Sequence, residues 1–372
     1  MQEQVPFFAF RDFVPGVQQQ LEQALVHVAQ RGNFILGEEV GSFEKEFASY
    51  LAEGTTAIGV GNGFDALVIS LKALGIGAGA EVIVPSNSYM ATVNAVLQVK
   101  AKPVLVEPDK YTYNLTAANA EKAITPKTKA ILPVHLYGQA CQMDELMQLA
   151  HKYNLSVVED CAQAHGAAFK DQLIGTFGDA AAFSFYPTKN LGAMGDGGAI
   201  VTSNALVADF AQQYRNYGQK QKYIGELVGV NSRLDELQAA ILRIKLQHLH
   251  QYNAERQRLA NVYLQELNGV GDLLLPQTAE SCSHVYHIFN IRTKQRDALQ
   301  NYLREQGICT AIHYPVPVHL QPAYIFLGYG AGDFPVAEEL ALTSISLPLF
   351  PGLTEQEQER VIKAVREFYQ DK

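Results

Sequence analysis

The chain lacks the features that would tie it to a membrane, a nucleic acid or a disulfide scaffold. No run of eighteen apolar residues occurs along its 372 positions, so no segment is expected to span a bilayer. Lys and Arg number 29 against 38 Asp and Glu, and the net charge of −9 leaves no basic surface of the kind a nucleic-acid backbone requires. The four cysteines (Cys141, Cys161, Cys282, Cys309) are scattered without Cys-x-x-Cys spacing. That argues against a disulfide framework and against a zinc site, and it fits a reducing compartment. Residues Met1 to Pro6 have neither the charged region nor the apolar stretch of an export signal, so the expected location is the cytoplasm. There is no internal repeat and no low-complexity segment.

What is present is an ordinary globular composition, 48% hydrophobic and 18% charged, long enough for a large domain and a smaller one. Helical and strand patterns alternate over the first 250 residues or so. Gln18 to Gln30 is amphipathic and ends at Gly32; Phe64 to Leu74 ends at Gly75. Short apolar runs lie at 81–84, 103–106, 130–134 and 156–159, with a helical pattern from Met143 to Tyr153 between the last two. This order predicts βα units and an α/β fold with a mostly parallel sheet covered by helices on both faces. From Ser232 to about Leu267 the pattern is polar and helical without Gly or Pro, long enough to bridge two domains. Beyond it, strands are expected at Val285–Ile291 and Cys309–His313 and a helix at Asp297–Gln306. A closing helix is expected at Glu355–Tyr369, with Thr354 as its N-cap. The expected division is a large domain over 1–250 and a smaller C-terminal α/β domain over 251–372.

The chemistry-bearing residues gather at the ends of the apolar runs, where α/β sheets collect ligands. Glu159-Asp160 closes one run and is followed by Cys161-Ala162-Gln163; Ser184 opens Ser184-Phe185-Tyr186-Pro187-Thr188-Lys189. A lysine amine forms a Schiff base with an aldehyde cofactor, and an Asp at a strand end holds a pyridine nitrogen protonated. The pair suggests pyridoxal phosphate and chemistry at an amine carbon. An unpaired buried carboxylate needs a cation, which a protonated pyridine supplies; Asp160 as a plain helix N-cap is the alternative. Gln163 can donate to the cofactor's phenolic oxygen, and Ser184 to its phosphate. Gly59-Val60-Gly61-Asn62-Gly63-Phe64 places free amides at a helix start, suited to a phosphate, with a plain tight turn as the alternative. Phe64 occupies the last position of Gly-x-Gly-x-x-Gly, so a dinucleotide fingerprint is excluded. Tyr89, in the loop after the 81–84 run, is either a platform for a planar ring or a core aromatic. His165 is read as structural.

Together these segments resemble the pyridoxal phosphate-dependent sugar aminotransferases of the DegT/DnrJ/EryC1/StrS family, of fold type I. The resemblance runs from Phe34–Val40 through the Lys189 segment, Gly195–Gly198 and Gly229–Ala240 to His313-Tyr314-Pro315 and His319–Tyr324. It implies that Lys189 carries the cofactor, Asp160 pairs with the ring nitrogen, Gln163 contacts the ring oxygen and Tyr89 stacks on the ring. Ser184 and the amides of Gly63 and Phe64 would bind phosphate. Asn231 would reach the phosphate from a neighbouring subunit, implying a homodimer with composite sites. Many members have Ser-Gly-Thr where this chain has Asn62-Gly63-Phe64, so no side-chain phosphate contact is expected from Phe64. That departure, with Glu107-Pro108 and Tyr113-Asn114, resembles the branch acting on nucleotide-linked 3-keto-6-deoxyhexoses. The implied reaction moves an amino group from L-glutamate to C3 of a dTDP-linked keto-deoxyhexose. A 4-keto-sugar transaminase and a non-catalytic binding module are the alternatives, while Lys189 argues against the dehydratases of the family, which carry histidine there.

Overall fold

Seven short strands, none longer than five residues, form the centre of the computed structural model, which describes residues 4–370. They are β1 (Thr56–Val60), β2 (Glu81–Pro85), β3 (Lys102–Val106), β4 (Thr128–Ile131), β5 (Ser156–Asp160), β6 (Ala180–Ser184) and β7 (Gly198–Thr202). Their order across the sheet is β1-β7-β6-β5-β4-β2-β3. Every pairing from β6 to β3 is parallel, and only β7 runs against its neighbours β6 and β1. The expected mostly parallel α/β sheet is the one observed.

Residues alternate cleanly between the two faces of this sheet, as a two-residue side-chain period dictates. Ala57, Ile83, Val157, Ala181, Phe183, Ala199 and Val201 enter one core together with Phe43, Phe47, Met143 and Leu146. Ile58, Val82, Val84, Val158, Ala182 and Ile200 enter the other with Leu67, Leu71, Val93 and Val96. Both faces are dry, which is why the strands read as continuous apolar runs. The helices Val17–Arg31, Gly63–Ala73 and Met143–Tyr153 match their patterns to within a residue, and Gly32 and Gly75 adopt positive φ at the expected ends.

Three expectations in the C-terminal part are corrected. The helical stretch after Ser232 is two helices, Glu236–Gln247 and Leu249–Glu266, broken at His248 with φ −108° and ψ 2°. No Gly or Pro marks the break. It lies where packing changes partners: Leu242, Leu246 and Leu249 enter the sheet core, whereas Leu259, Ala260 and Tyr263 enter a third core with Phe289 and Phe350. The strand after it is confined to Phe289–Arg292 and pairs antiparallel with Ser344–Leu347, and Cys309–His313 forms no strand. Only Ala311 of that segment bridges to Ser346, because Cys309 donates its amide to Val5 instead. The helix Arg296–Glu305 and the closing helix Glu355–Gln370 form as expected. Thr354 and Glu357 make a reciprocal capping box, with Glu357 N–H on the Thr354 hydroxyl at 3.2 Å and Thr354 N–H on the Glu357 carboxylate at 2.9 Å. We propose the boundary between the two units at the His248 break, close to residue 250, with the segment containing Val318, Tyr324 and Phe334 crossing back onto the sheet core.

Two helices near the site lack caps of their own and take them from far along the chain. The helix Glu38–Leu51 follows Gly37, which has no side chain to offer. The buried Glu236 carboxylate accepts the amides of Gly37, Glu39 and Val40 at 2.8, 3.0 and 2.9 Å. The helix Pro335–Thr343 follows Phe334, and Glu107 accepts the amides of Val336 and Ala337 at 2.7 and 3.0 Å. A carboxylate at a helix start is favoured by the unpaired amides and by the helix dipole. Glu236→Ala removes the shared acceptor of three amides and should lower the unfolding free energy by roughly 3 kcal/mol. Glu236→Gln, which keeps an acceptor oxygen, should lose less. Urea-unfolding midpoints at unchanged slope are the measurement.

Candidate active site

The carboxyl ends of β1, β2, β5 and β6 lie along one edge of the sheet, and the expected residues are carried there. Asp160 is the last residue of β5 and pairs in register with Ala182, two residues short of Ser184 at the end of β6. Ser184 in turn lies opposite Gly198, and Gly198 opposite Val60 at the end of β1. Three residues after Val60, Gly63 starts the helix Gly63–Ala73. A Cβ on Gly63 would fall 2.6 Å from that of Ser184, so only glycine lets this helix start approach the strand end.

The loop between β6 and β7 presents Lys189. It is held by Phe185 N–H to Gly197, Ala193 N–H to Phe185 and Lys189 N–H to Tyr186, each at 2.8 Å. Gly192 closes it, since a Cβ there would meet the Pro187 carbonyl oxygen at 2.2 Å. Asn190 ties the loop to Asn253 at 2.8 Å and to the Val285 carbonyl at 3.0 Å.

Seven of the eight expected residues line one cavity of about 530 Å³: Gly63, Phe64, Tyr89, Asp160, Gln163, Ser184 and Lys189. Asn231 stands apart. It is exposed and outside the lining, its backbone bridged to Asn216, while its neighbour Ser232 links Gly61 N–H to the Asp65 carboxylate. Thr92, Ser88, His287, His313 and Tyr314 also line the cavity. Sequence reasoning gave none of these five a role. The last two lie in the segment expected to be a strand and its continuation, and their approach to Lys189 is a tertiary event without a local signal.

Each group in the cavity has a defined capacity. Asp160 is 6% exposed, and burial raises its pKa. Hydrogen bonds from Ala162 N–H at 3.2 Å and the Thr92 hydroxyl at 2.9 Å, with the Lys189 charge, act in the opposite direction. Burial lowers Lys189 to about 8, although the Asp160 charge favours its ammonium form. Gln163 is oriented by its neighbours: its carbonyl accepts Tyr137 N–H at 2.8 Å, so its amide NH₂ faces Tyr314, whose hydroxyl it meets at 3.1 Å. Tyr89 is half exposed, its ring 5.3 Å from that of Tyr314. Asn62 caps Asp65 N–H at 2.8 Å, which leaves the Gly63 and Phe64 amides without an intrahelical acceptor.

Two groups are structural. His165 lies between Phe183 and Phe185, and burial holds its pKa down near 3, so it is a neutral core ring. His135, Glu159 and Cys161 approach one another closely enough to suggest a metal site. However, His135 Nδ1 accepts Cys141 N–H at 3.0 Å, so Nε2 carries the proton that it donates to Glu159 at 3.1 Å. Glu159 also accepts the amides of Gly175, Phe177 and Gly178. No lone pair of that histidine is free for a cation.

Comparison with known proteins agrees with this geometry. Residues 16–366 match the model of the DegT/DnrJ/EryC1/StrS aminotransferase family. The chain belongs to that family. A dTDP-3-amino-3,4,6-trideoxy-alpha-D-glucose transaminase of Streptomyces venezuelae is 48% identical, over 98% of this chain and 96% of its own. A dTDP-3-amino-3,6-dideoxy-alpha-D-galactopyranose transaminase of Aneurinibacillus thermoaerophilus is also 48% identical, over 98% and 99%. The crystal structure of S. venezuelae DesV in complex with a ketimine intermediate superposes with a TM-score of 0.96 at 47% identity, covering 99% of each chain. As a member of this aminotransferase family the protein uses pyridoxal 5′-phosphate. Its residues fit that group: unclaimed helix amides and a serine for a phosphate, a buried carboxylate for a ring cation, and a lysine beside them.

In cofactor-free protein, acylation of Lys189 followed by peptide mass spectrometry should titrate with a midpoint near 8, against roughly 10.4 for an unperturbed lysine. Asp160→Asn removes the charge that favours the ammonium form and should move the midpoint lower still. An unchanged or higher midpoint in that variant would show that the two groups do not interact.

Proposed function

We propose that the protein moves the amino group of L-glutamate, through pyridoxal phosphate, to C3 of a dTDP-linked 3-keto-6-deoxyhexose, giving the 3-amino-3,6-dideoxy sugar. The observation that carries this reading is the convergence of Lys189, Asp160, Gln163 and Ser184 on one cavity at the carboxyl edge of the sheet. The two 48% identical relatives, both named as transaminases of dTDP-3-amino sugars, support position 3. The working form proposed is a cytoplasmic homodimer.

When bound, the cofactor supplies an electron sink for the pair released as a carbon–hydrogen bond beside nitrogen breaks. The protein supplies the rest. The Gly63 and Phe64 amides with the Ser184 hydroxyl anchor the phosphate at a helix N-terminus. The Asp160 carboxylate holds a proton on the ring nitrogen, and Gln163 directs its N–H toward the ring oxygen. Tyr89 covers the ring. Lys189 Nζ, lowered toward neutrality by burial, takes the proton from the amine-bearing carbon of the donor and later delivers one to C3 of the sugar. A second cavity of about 660 Å³ also reaches Lys189 and carries Lys245 and Arg256, whose partners are carbonyl oxygens rather than carboxylates.

Purified enzyme with glutamate and either the 3-keto or the 4-keto dTDP-6-deoxyhexose tests the reading, with product regiochemistry read by NMR. Amination at C3 with 2-oxoglutarate release is expected, and amination at C4 alone would transfer the protein to the 4-keto branch. The composite site has its own test. Asn231 lies outside its own chain's cavity, and the reading assigns it to the partner's phosphate. Lys189→Ala and Asn231→Asp should each be inactive, the latter by charge repulsion. Mixed after verified subunit exchange, they should regain activity, because one site of each mixed dimer is intact. Without recovery, Asn231 has no role across the interface.

A further inference from the structure

We propose that Thr92 is a positioning residue for Asp160, the middle member of a one-way hydroxyl relay from Ser88 through Thr92 to the carboxylate. The proposal rests on the reading of Asp160 given above and adds to it how that carboxylate is kept charged and aimed. Thr92 is 1% exposed and lies in the first turn of the helix Met90–Gln98. Its hydroxyl is 2.9 Å from Asp160 Oδ2 and 2.7 Å from the Ser88 hydroxyl. Direction follows from proton count. An ionised carboxylate only accepts, so the single Thr92 proton goes to Asp160; the Ser88 hydroxyl, 3.2 Å from the Tyr89 carbonyl and 2.7 Å from Thr92, gives its own proton to Thr92 across the shorter contact. Donors arranged in series polarise one another, and the chain ends on the charge.

The hydroxyl has no competing local use. The N-cap of the helix is Tyr89, which contributes no side-chain cap, and the Thr92 amide is already bonded to the Tyr89 carbonyl at 3.1 Å. Asp160 has few other sources of support. Its Oδ1 receives one backbone amide, at 3.2 Å, and the Lys189 and His135 side chains favour its charge from a distance, against the burial that opposes it. Thr92 therefore provides the one side-chain donor on Oδ2, and its loss shifts the shared proton from the ring nitrogen toward the carboxylate. The relay also joins the carboxylate to the loop bearing Tyr89, since Ser88 immediately precedes it. The same short segment thus holds both the platform for the ring and the support for the group at the ring's edge.

The test uses Thr92→Val, which keeps the shape without the hydroxyl, and Thr92→Ser, which keeps the hydroxyl. Each is made in the native chain and in Asp160→Asn. Two quantities are measured: the affinity of the cofactor-free protein for pyridoxal phosphate, by visible absorbance, and the rate of the glutamate half-reaction. Thr92→Val should weaken both by about tenfold, the scale of one hydrogen bond to a charged group. Thr92→Ser should stay within about threefold of native on that same scale. In the Asp160→Asn background the Thr92→Val change should nearly vanish, because its target charge is gone. Equal losses in the Val and Ser variants, or full additivity with Asp160→Asn, would overturn the relay. A harmless Asp160→Asn would instead overturn the underlying assignment of Asp160. Should Thr92→Val fail to fold, Ser88→Ala gives the same reading: a smaller loss in the native chain and none in Asp160→Asn.

Discussion

A carboxylate held at the dry edge of a parallel sheet is the constraint around which this molecule is arranged. Two acids in succession end β5, and the strand sends them to opposite faces. Glu159 goes into the protein, where three amides and His135 satisfy it completely. Asp160 goes toward the cavity with one amide and one hydroxyl, which leaves capacity for a cation. The difference between a structural acid and a functional one is therefore the number of donors each finds. Asp160 remains useful because it is under-supplied.

The neighbouring elements follow from keeping that charge close to an amine. β6 runs parallel to β5 and ends two residues further on, so the loop leaving it begins at the cavity. The Gly192 closure turns that loop back, and Asn190 fixes it to the Leu249–Glu266 helix and the Val285 carbonyl. Lys189 is in this way located by contacts to both units of the chain. The glycine at position 63 brings a helix start against the same strand end, placing unclaimed amides at a set distance along the edge from the carboxylate.

Much of this was legible along the chain. The apolar runs marked four of the seven strands, β2 to β5, and the segments around Asp160, Ser184 and Lys189 announced the chemistry. Those signals are local: a strand end, a helix start, a turn. What stayed hidden depends on residues far apart. The role of Thr92 requires helix Met90–Gln98 to meet β5, and Tyr314 reaches Gln163 across 151 positions. The His248 break has no breaker residue and arises only because one helical stretch packs on two cores. Cys309–His313 has the composition of a strand, but its backbone is divided between Val5 and Ser346. Glu107 and Asn114, noticed as marks of a sugar branch, have plain architectural uses. Glu107 caps the start of a distant helix, and Asn114 bonds the backbone of Leu136, Gln139 and Ala140.

The remote caps bear on how the chain comes together. Helices Glu38–Leu51 and Pro335–Thr343 begin with nothing nearby to satisfy their first amides. Their acceptors lie 196–199 and 229–230 positions away. Neither first turn is complete until chain segments from opposite ends have met, so local order there is made contingent on global order. Contacts of such span are slow to form, because chain closure precedes any gain from them. They also suppress partial structures in which one half is finished alone. The Glu38–Leu51 helix packs Phe43 and Phe47 against Phe183 and Phe185, next to the lysine loop. Active-site geometry should therefore emerge late and all at once, with cofactor competence as a marker of the fully assembled chain rather than of its N-terminal part.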